Sequence, residues 1–190
     1  MNRRSLTYLT LSLVVLLIAV GIIYSRFSSS SLQQASTAPV LAPIVVGSQA
    51  PAFTAATTTG LFDLAKEQRP IFLEIFATWC PHCQRETKII DRLYEKFGTQ
   101  VAFIAVVGSD RGMDDMSPES SMDILRFQQQ FGVNYPIAIY DPSLSVARHY
   151  LQGGFPTVVI IGRNKKILTA TSGELPYKPL AKALTIAISN

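Results

Sequence analysis

Apolar and polar positions along this chain fall into three regimes. Residues 6–24 are an unbroken run dominated by Leu, Val and Ile, with no charged side chain. A helix needs roughly 20 such residues to cross a hydrocarbon core of about 30 Å, so the run predicts a membrane-spanning helix. Residues 28–43 are uncharged and rich in Ser, Gln, Ala, Thr and Pro, which predicts a flexible linker. From residue 44 onward, short apolar runs alternate with amphipathic stretches, the pattern of an α/β domain.

Within that domain, residues 71–76, 101–107, 136–140, 157–161 and 165–171 read as strands. Helices are expected over 80–97, 118–131, 144–150 and 179–188. Residues 108–117 form a polar loop, and Gly162-Arg163-Asn164 turns the last two strands into a pair. One central mixed sheet with helices on both faces is the economical arrangement. The chain thus divides into a membrane anchor (1–27), a linker (28–43) and one α/β domain (44–190).

Arg3, Arg4 and the amino terminus precede the apolar run, and only Arg26 closely follows it. The positive-inside bias then puts the N-terminus in the cytoplasm and everything after Arg26 outside it. A cleaved signal peptide is the alternative, with Ser36-Thr37-Ala38 as a small-x-small site. That site lies well past the run, which also exceeds the ~7–15 residues of a signal core, so an uncleaved anchor is preferred.

The formal charge is +4, yet Arg3, Arg4 and Arg26 supply most of it. Without them, fourteen Lys and Arg face thirteen Asp and Glu after residue 43. No basic stripe remains to bind nucleic acid, so the pI near 9.2 is not a nucleic-acid signature. A monomer is expected.

The chain's two cysteines sit together in Trp79-Cys80-Pro81-His82-Cys83, directly behind the apolar strand 71–76. Disulfide frameworks normally draw on four or more cysteines, whereas one pair three residues apart is the spacing of a reactive dithiol. At the start of a helix, residues three apart share a face and lie about 5–6 Å apart at Cβ, close enough to bridge. Cys80 at the helix N-terminus faces unpaired N–H groups that favour a thiolate, which makes it the nucleophile. Cys83, one turn deeper, is the resolving thiol. Pro81 suits the first helical turn, and His82 is placed to stabilise the Cys80 sulfur. A zinc site would need two more ligands, and only His82 and His149 are available; no metal and no cofactor beyond the Cys80–Cys83 disulfide is expected.

Two further residues stand out. Glu74 interrupts the apolar run 71–76, where a carboxylate is costly to bury. On an edge strand it would face solvent; on a central strand it would lie beneath the cysteine turn with a raised pKa, suited to taking the proton from Cys83. Pro156, between Phe155 and the apolar strand 157–161, would break a ladder hydrogen bond, which a cis Phe155–Pro156 bond at the strand start would explain.

Trp79-Cys80-Pro81-His82-Cys83, Phe155-Pro156-Thr157 and the turn Gly162-Arg163-Asn164-Lys165-Lys166 together resemble the thioredoxin superfamily. Val46-Gly47-Ser48-Gln49-Ala50-Pro51-Ala52-Phe53, Cys83-Gln84-Arg85-Glu86, Val133-Asn134-Tyr135-Pro136 and Asp141 resemble its membrane-anchored TlpA/ResA-like branch. The resemblance implies a thioredoxin-like fold with an extra N-terminal strand segment and an inserted strand–helix, exposed on the periplasmic side of the cytoplasmic membrane. It also implies exchange of disulfides with protein partners, including apocytochrome c cysteines, using electrons from a membrane redox partner. By the same resemblance Cys80 attacks, Cys83 resolves, and Pro156 is the cis-proline facing them, flanked by Phe155 and Thr157. Glu86 matches an acidic residue that tunes the thiols; an exposed helix-face carboxylate is the plainer reading.

Two features depart from that branch. Pro81-His82 is the dipeptide of the oxidant DsbA, which favours the dithiol form, and Phe155 is bulky for its place. Direction therefore stays open between a reductant, as in cytochrome c maturation, and an oxidant. A second class of function is a thioredoxin-fold copper chaperone using Cys80, Cys83 and His149.

Overall fold

The computed structural model describes residues 44–190 and, nearer the N-terminus, the helical pair Leu16 and Leu17. The anchor over 6–24 lies, apart from that pair, outside the described residues, and so does the linker over 28–43. Among the described residues no helix is long and apolar enough to cross a membrane.

The domain runs β1 (Thr54–Thr57), β2 (Gly60–Asp63), β3 (Ile71–Phe76), α1 (Pro81–Phe97), β4 (Ala102–Val107), α2 (Ser121–Phe131), α3 (Ser145–Tyr150), β5 (Thr157–Ile161), β6 (Ile167–Ser172) and α4 (Tyr177–Ser189). Four strands make the main sheet in the order β4-β3-β5-β6. β3 is parallel to β4 and antiparallel to β5, and β5 is antiparallel to β6. The sheet is mixed, as expected, and β3 is central.

That central position explains why every side chain of β3 is buried. Strand alternation sends Phe72 and Phe76 into the core shared with α1, α2 and α4, together with Cys80, Cys83, Ile90, Leu93, Phe127 and Leu184. Ile71, Leu73 and Ile75 face the other way, toward Leu64 and toward Val146, Ala147 and Tyr150 of α3. Two cores thus clamp one sheet, with helices on both faces.

Two expectations are corrected, and one hairpin is added. The strand over 136–140 reduces to isolated bridges, Ile137 to Ala105 and Ala138 to Thr57, which tie the β1–β2 hairpin to the sheet. That hairpin was not legible as apolar alternation, because Thr54-Ala55-Ala56-Thr57 is half-exposed and carries little apolar signal. The helix expected from 118 begins at Ser121: Ser120 caps it by accepting from the Asp123 N–H at 3.2 Å, and Pro118 pairs instead with Arg111. Its other end is closed by Gly132 at φ 65°, a left-handed cap that suits glycine.

Candidate active site

The active site forms where β3 hands the chain to α1. Cys80 is the residue before the helix, in extended conformation, and Pro81 occupies the first turn. The turn is closed by Cys80 N–H donating to the Ala77 carbonyl at 3.1 Å and Gln84 N–H donating to the Cys80 carbonyl at 3.0 Å. Both cysteines are buried free thiols, Cys80 4% exposed and Cys83 not at all. Cys80 thus keeps a little surface, and Cys83 keeps none.

Phe155–Pro156 is a cis bond, as expected from the proline at the strand start. The Phe155 carbonyl oxygen lies 4.0 Å from Cys80 Sγ, so the residue before Pro156 faces the Cys80 thiol. Thr157 Oγ1 donates to the Gly154 carbonyl at 2.8 Å and accepts from Gln152 N–H, which holds the loop ahead of β5. The Phe155 ring meets Trp79 edge-on at 6.0 Å. Trp79 in turn donates Nε1–H to Ser109 Oγ at 2.8 Å and lies under the Arg111 guanidinium.

Gly108, at the end of β4, is where this packing tolerates no side chain. An added Cβ would sit 2.7 Å from Ile75 Cγ2 and 2.8 Å from Phe155 Cε1. Gly108→Ala is therefore expected to displace the Phe155 ring and lower stability by about 1–3 kcal/mol, read as a fall in the urea midpoint with accompanying change in Trp79 fluorescence.

Beneath the thiols lies a buried acidic group. Glu74 is on central β3, on the α1 side of the sheet with Phe72 and Phe76, and is 1% exposed. Burial pushes its carboxyl well above the usual carboxylate range, and the charges of Glu86 and Cys80 push the same way; the Tyr135 hydroxyl, donating to Oε2 at 3.5 Å, opposes them. Burial likewise raises the Cys83 thiol, with the Glu74 charge adding to it. A buried carboxyl beside a buried thiol can carry a proton that has no path to water.

Glu86 is not an exposed helix-face carboxylate. It is fully buried, with Oε1 accepting from Leu175 N–H at 2.9 Å and Oε2 without a partner. Burial raises it to about 7, the Leu175 N–H opposing and the Glu174 charge assisting.

His82 sits apart from this group. Its side chain is 61% exposed, and Nδ1 lies 2.7 Å from Arg85 Nη2 and 3.2 Å from Glu174 Oε2. An open cleft of about 640 Å³ adjoins it, bordered also by Ile89, Phe155 and Leu175. His149 is half-buried on α3 with Nδ1 against the Ser145 carbonyl at 2.8 Å. Among the described residues no group of three His, Cys, Asp or Glu side chains could hold a metal ion. The copper-chaperone reading is not favoured.

Sequence reasoning missed one buried residue of this region. Glu119 is 4% exposed and accepts from Thr78 Oγ1 at 2.5 Å, so the 109–120 loop is bolted to the turn that carries the cysteines. In sequence it reads only as one acid in a polar stretch.

This geometry agrees with comparison to known proteins. The Redoxin family profile matches residues 45–185. Thiol-disulfide oxidoreductase ResA of Geobacillus thermodenitrificans is 29% identical over 176 residues, 90% of either chain. ResA of Bacillus subtilis is 27% identical over 178 residues, 92% of this chain and 88% of that one. A thiol:disulfide interchange protein of Chlorobium tepidum superposes with a TM-score of 0.62 at 20% identity, over 76% of this chain and 98% of its own. Thio-disulfide isomerase from Thermus thermophilus gives 0.62 at 20% identity, over 76% and 97%. A dithiol at the start of α1, a cis-proline facing it and a family match across most of the chain place this protein in the Redoxin family, as a TlpA/ResA-like oxidoreductase of thioredoxin fold.

Proposed function

We propose that this protein is a membrane-tethered, extracytoplasmic reductant of protein disulfides, anchored by residues 6–24 with its N-terminus in the cytoplasm. The Cys80 thiolate attacks a partner disulfide, one partner sulfur leaves as a thiol, and a mixed disulfide forms. Glu74 in its carboxylate form takes the proton from Cys83, the Cys83 thiolate attacks Cys80 Sγ and breaks the mixed disulfide, and the proton held on Glu74 passes to the departing partner sulfur, which leaves as the second thiol. The product is the Cys80–Cys83 disulfide, and a membrane donor returns two electrons and two protons. No other cofactor is needed. Pro156, flanked by Phe155 and Thr157, aligns the partner's chain beside Cys80 as an added strand, and Glu86 sets the charge that Glu74 feels. Apocytochrome c cysteines are partners of the right class.

The direction rests on His82. The oxidant reading required this side chain beside the Cys80 sulfur, where it would favour the dithiol; its engagement with Arg85 and Glu174 supports the reductant instead. Equilibration with glutathione tests this. A potential more negative than about −220 mV is expected, and a value near about −120 mV, the range of DsbA, would overturn the direction. Carbonate-washed membranes should retain the protein, with the domain open to protease from outside; a soluble form beginning near Pro39 would reveal a cleaved signal instead.

A further inference from the structure

His82 follows Cys80 by two residues, yet its ring nitrogen Nδ1 is engaged by Arg85 and Glu174. Arg85 Nη2 lies 2.7 Å from His82 Nδ1 and 2.9 Å from Glu174 Oε2. A guanidinium only donates, so in this arrangement Nδ1 accepts and Nε2 carries the ring's N–H. His82 and Arg85, three residues apart on α1, thus share one face, and Arg85 links the ring to the Glu174 carboxylate.

The carboxylate is itself seated by the main chain on either side. Gly173 N–H donates to the Pro156 carbonyl at 2.8 Å, and Leu175 N–H donates to Glu86 Oε1 at 2.9 Å. One bond reaches the cis-proline and the other the buried acid, so Glu174 belongs to the framework of the site although its side chain is partly exposed.

We infer that Glu174 is a positioning residue of the dithiol: fixed between Gly173 and Leu175, its carboxylate accepts from Arg85, and the guanidinium so seated donates to His82 Nδ1 and keeps the ring from turning to the Cys80 sulfur. This rests on Cys80 as the attacking thiol. Without Glu174, Arg85 loses its seat, and the ring it held can turn an N–H toward Cys80. That contact stabilises a thiolate that exists only in the reduced state, so the dithiol becomes favoured and the potential less reducing. Glu174 therefore restrains the influence of the CPHC histidine and keeps the couple reducing.

A double-mutant cycle tests the inference on the full-length protein in detergent. Glu174→Ala is equilibrated with glutathione buffers in two backgrounds, His82 intact and His82→Ala. With His82 intact, the equilibrium is expected to shift toward the dithiol by about twofold to fivefold, the span of exposed charge contacts. In the His82→Ala background the shift should vanish, and Glu174→Asp should restore part of the parental value. An equal shift in both backgrounds would mean that Glu174 acts on Cys80 through its own charge, and no shift in either would mean that it does not hold the ring; both overturn the inference. A parent protein that forms no Cys80–Cys83 disulfide in the same buffers would remove the dithiol reading itself, and the inference with it.

Discussion

Replacing Cys83 with Ala is expected to leave partner proteins attached to Cys80 as mixed disulfides. The reason is the asymmetry of the pair. Cys80 retains a little surface and sits against the Phe155 carbonyl, where a partner's chain would pass. Cys83 is fully enclosed, with its thiol pushed upward by burial and by the charge of Glu74. Cys80 can therefore make the first attack and Cys83 only the second, on a sulfur already delivered to it. A tethered thiol has an effective concentration far above that of thiols in solution, so removing it should slow partner release by about a hundredfold or more. Non-reducing gels should show trapped adducts with Cys83→Ala and little with Cys80→Ala. Equal trapping by the two variants would reverse or erase the assignment.

The second large effect concerns pH and Glu86. Its carboxyl lies at about 7 in the folded protein against an ordinary value of 4.5, because burial disfavours the charged form. The folded state therefore keeps a proton that the unfolded chain has lost over that interval. Stability contributed by this group is fully present below about pH 4.5, falls as pH rises and is gone above about 7. Glu74, raised in the same direction, adds to the slope. Glu86→Gln keeps an acceptor for Leu175 N–H but cannot ionise. The variant should gain about 2–3 kcal/mol on the parent between pH 5 and pH 8, at about 1.4 kcal/mol per pKa unit. Any constant packing difference cancels in that comparison. Urea unfolding at the two pH values measures it, and parallel pH profiles for parent and variant would show that Glu86 is not a buried acid.

Why the protein keeps so costly a pair of acids follows from what the site must do. A resolving thiol enclosed in apolar core cannot lose its proton to water, and Glu74 lies on the same side of central β3 as Cys83. Stability given up as pH rises is the consequence of placing carboxyl groups inside the core.

The local pattern determined a great deal by itself. The apolar runs at 71–76 and 157–161 became β3 and β5 with unchanged bounds. Apolar strands of four to eight residues buried on both faces are distinctive, and the proline before β5 announced its cis bond because it could not join a ladder. The cysteine spacing, with Pro81 at a helix start, placed the dithiol for the same local reason. Long-range pairing decided the rest. Glu74 was open between edge and centre until β4 and β5 were found on its two sides. Glu86 reads as a helix-face acid until the chain returns, 89 residues later, to cover it with Leu175. Helical periodicity gives His82 a place beside Cys80 but cannot see Glu174, which is linked to its ring through Arg85. Spacing along a chain specifies which side of a strand or helix a residue occupies. Whether that side meets water, an acid or a thiol depends on segments distant in sequence, and so only the tertiary structure could decide it.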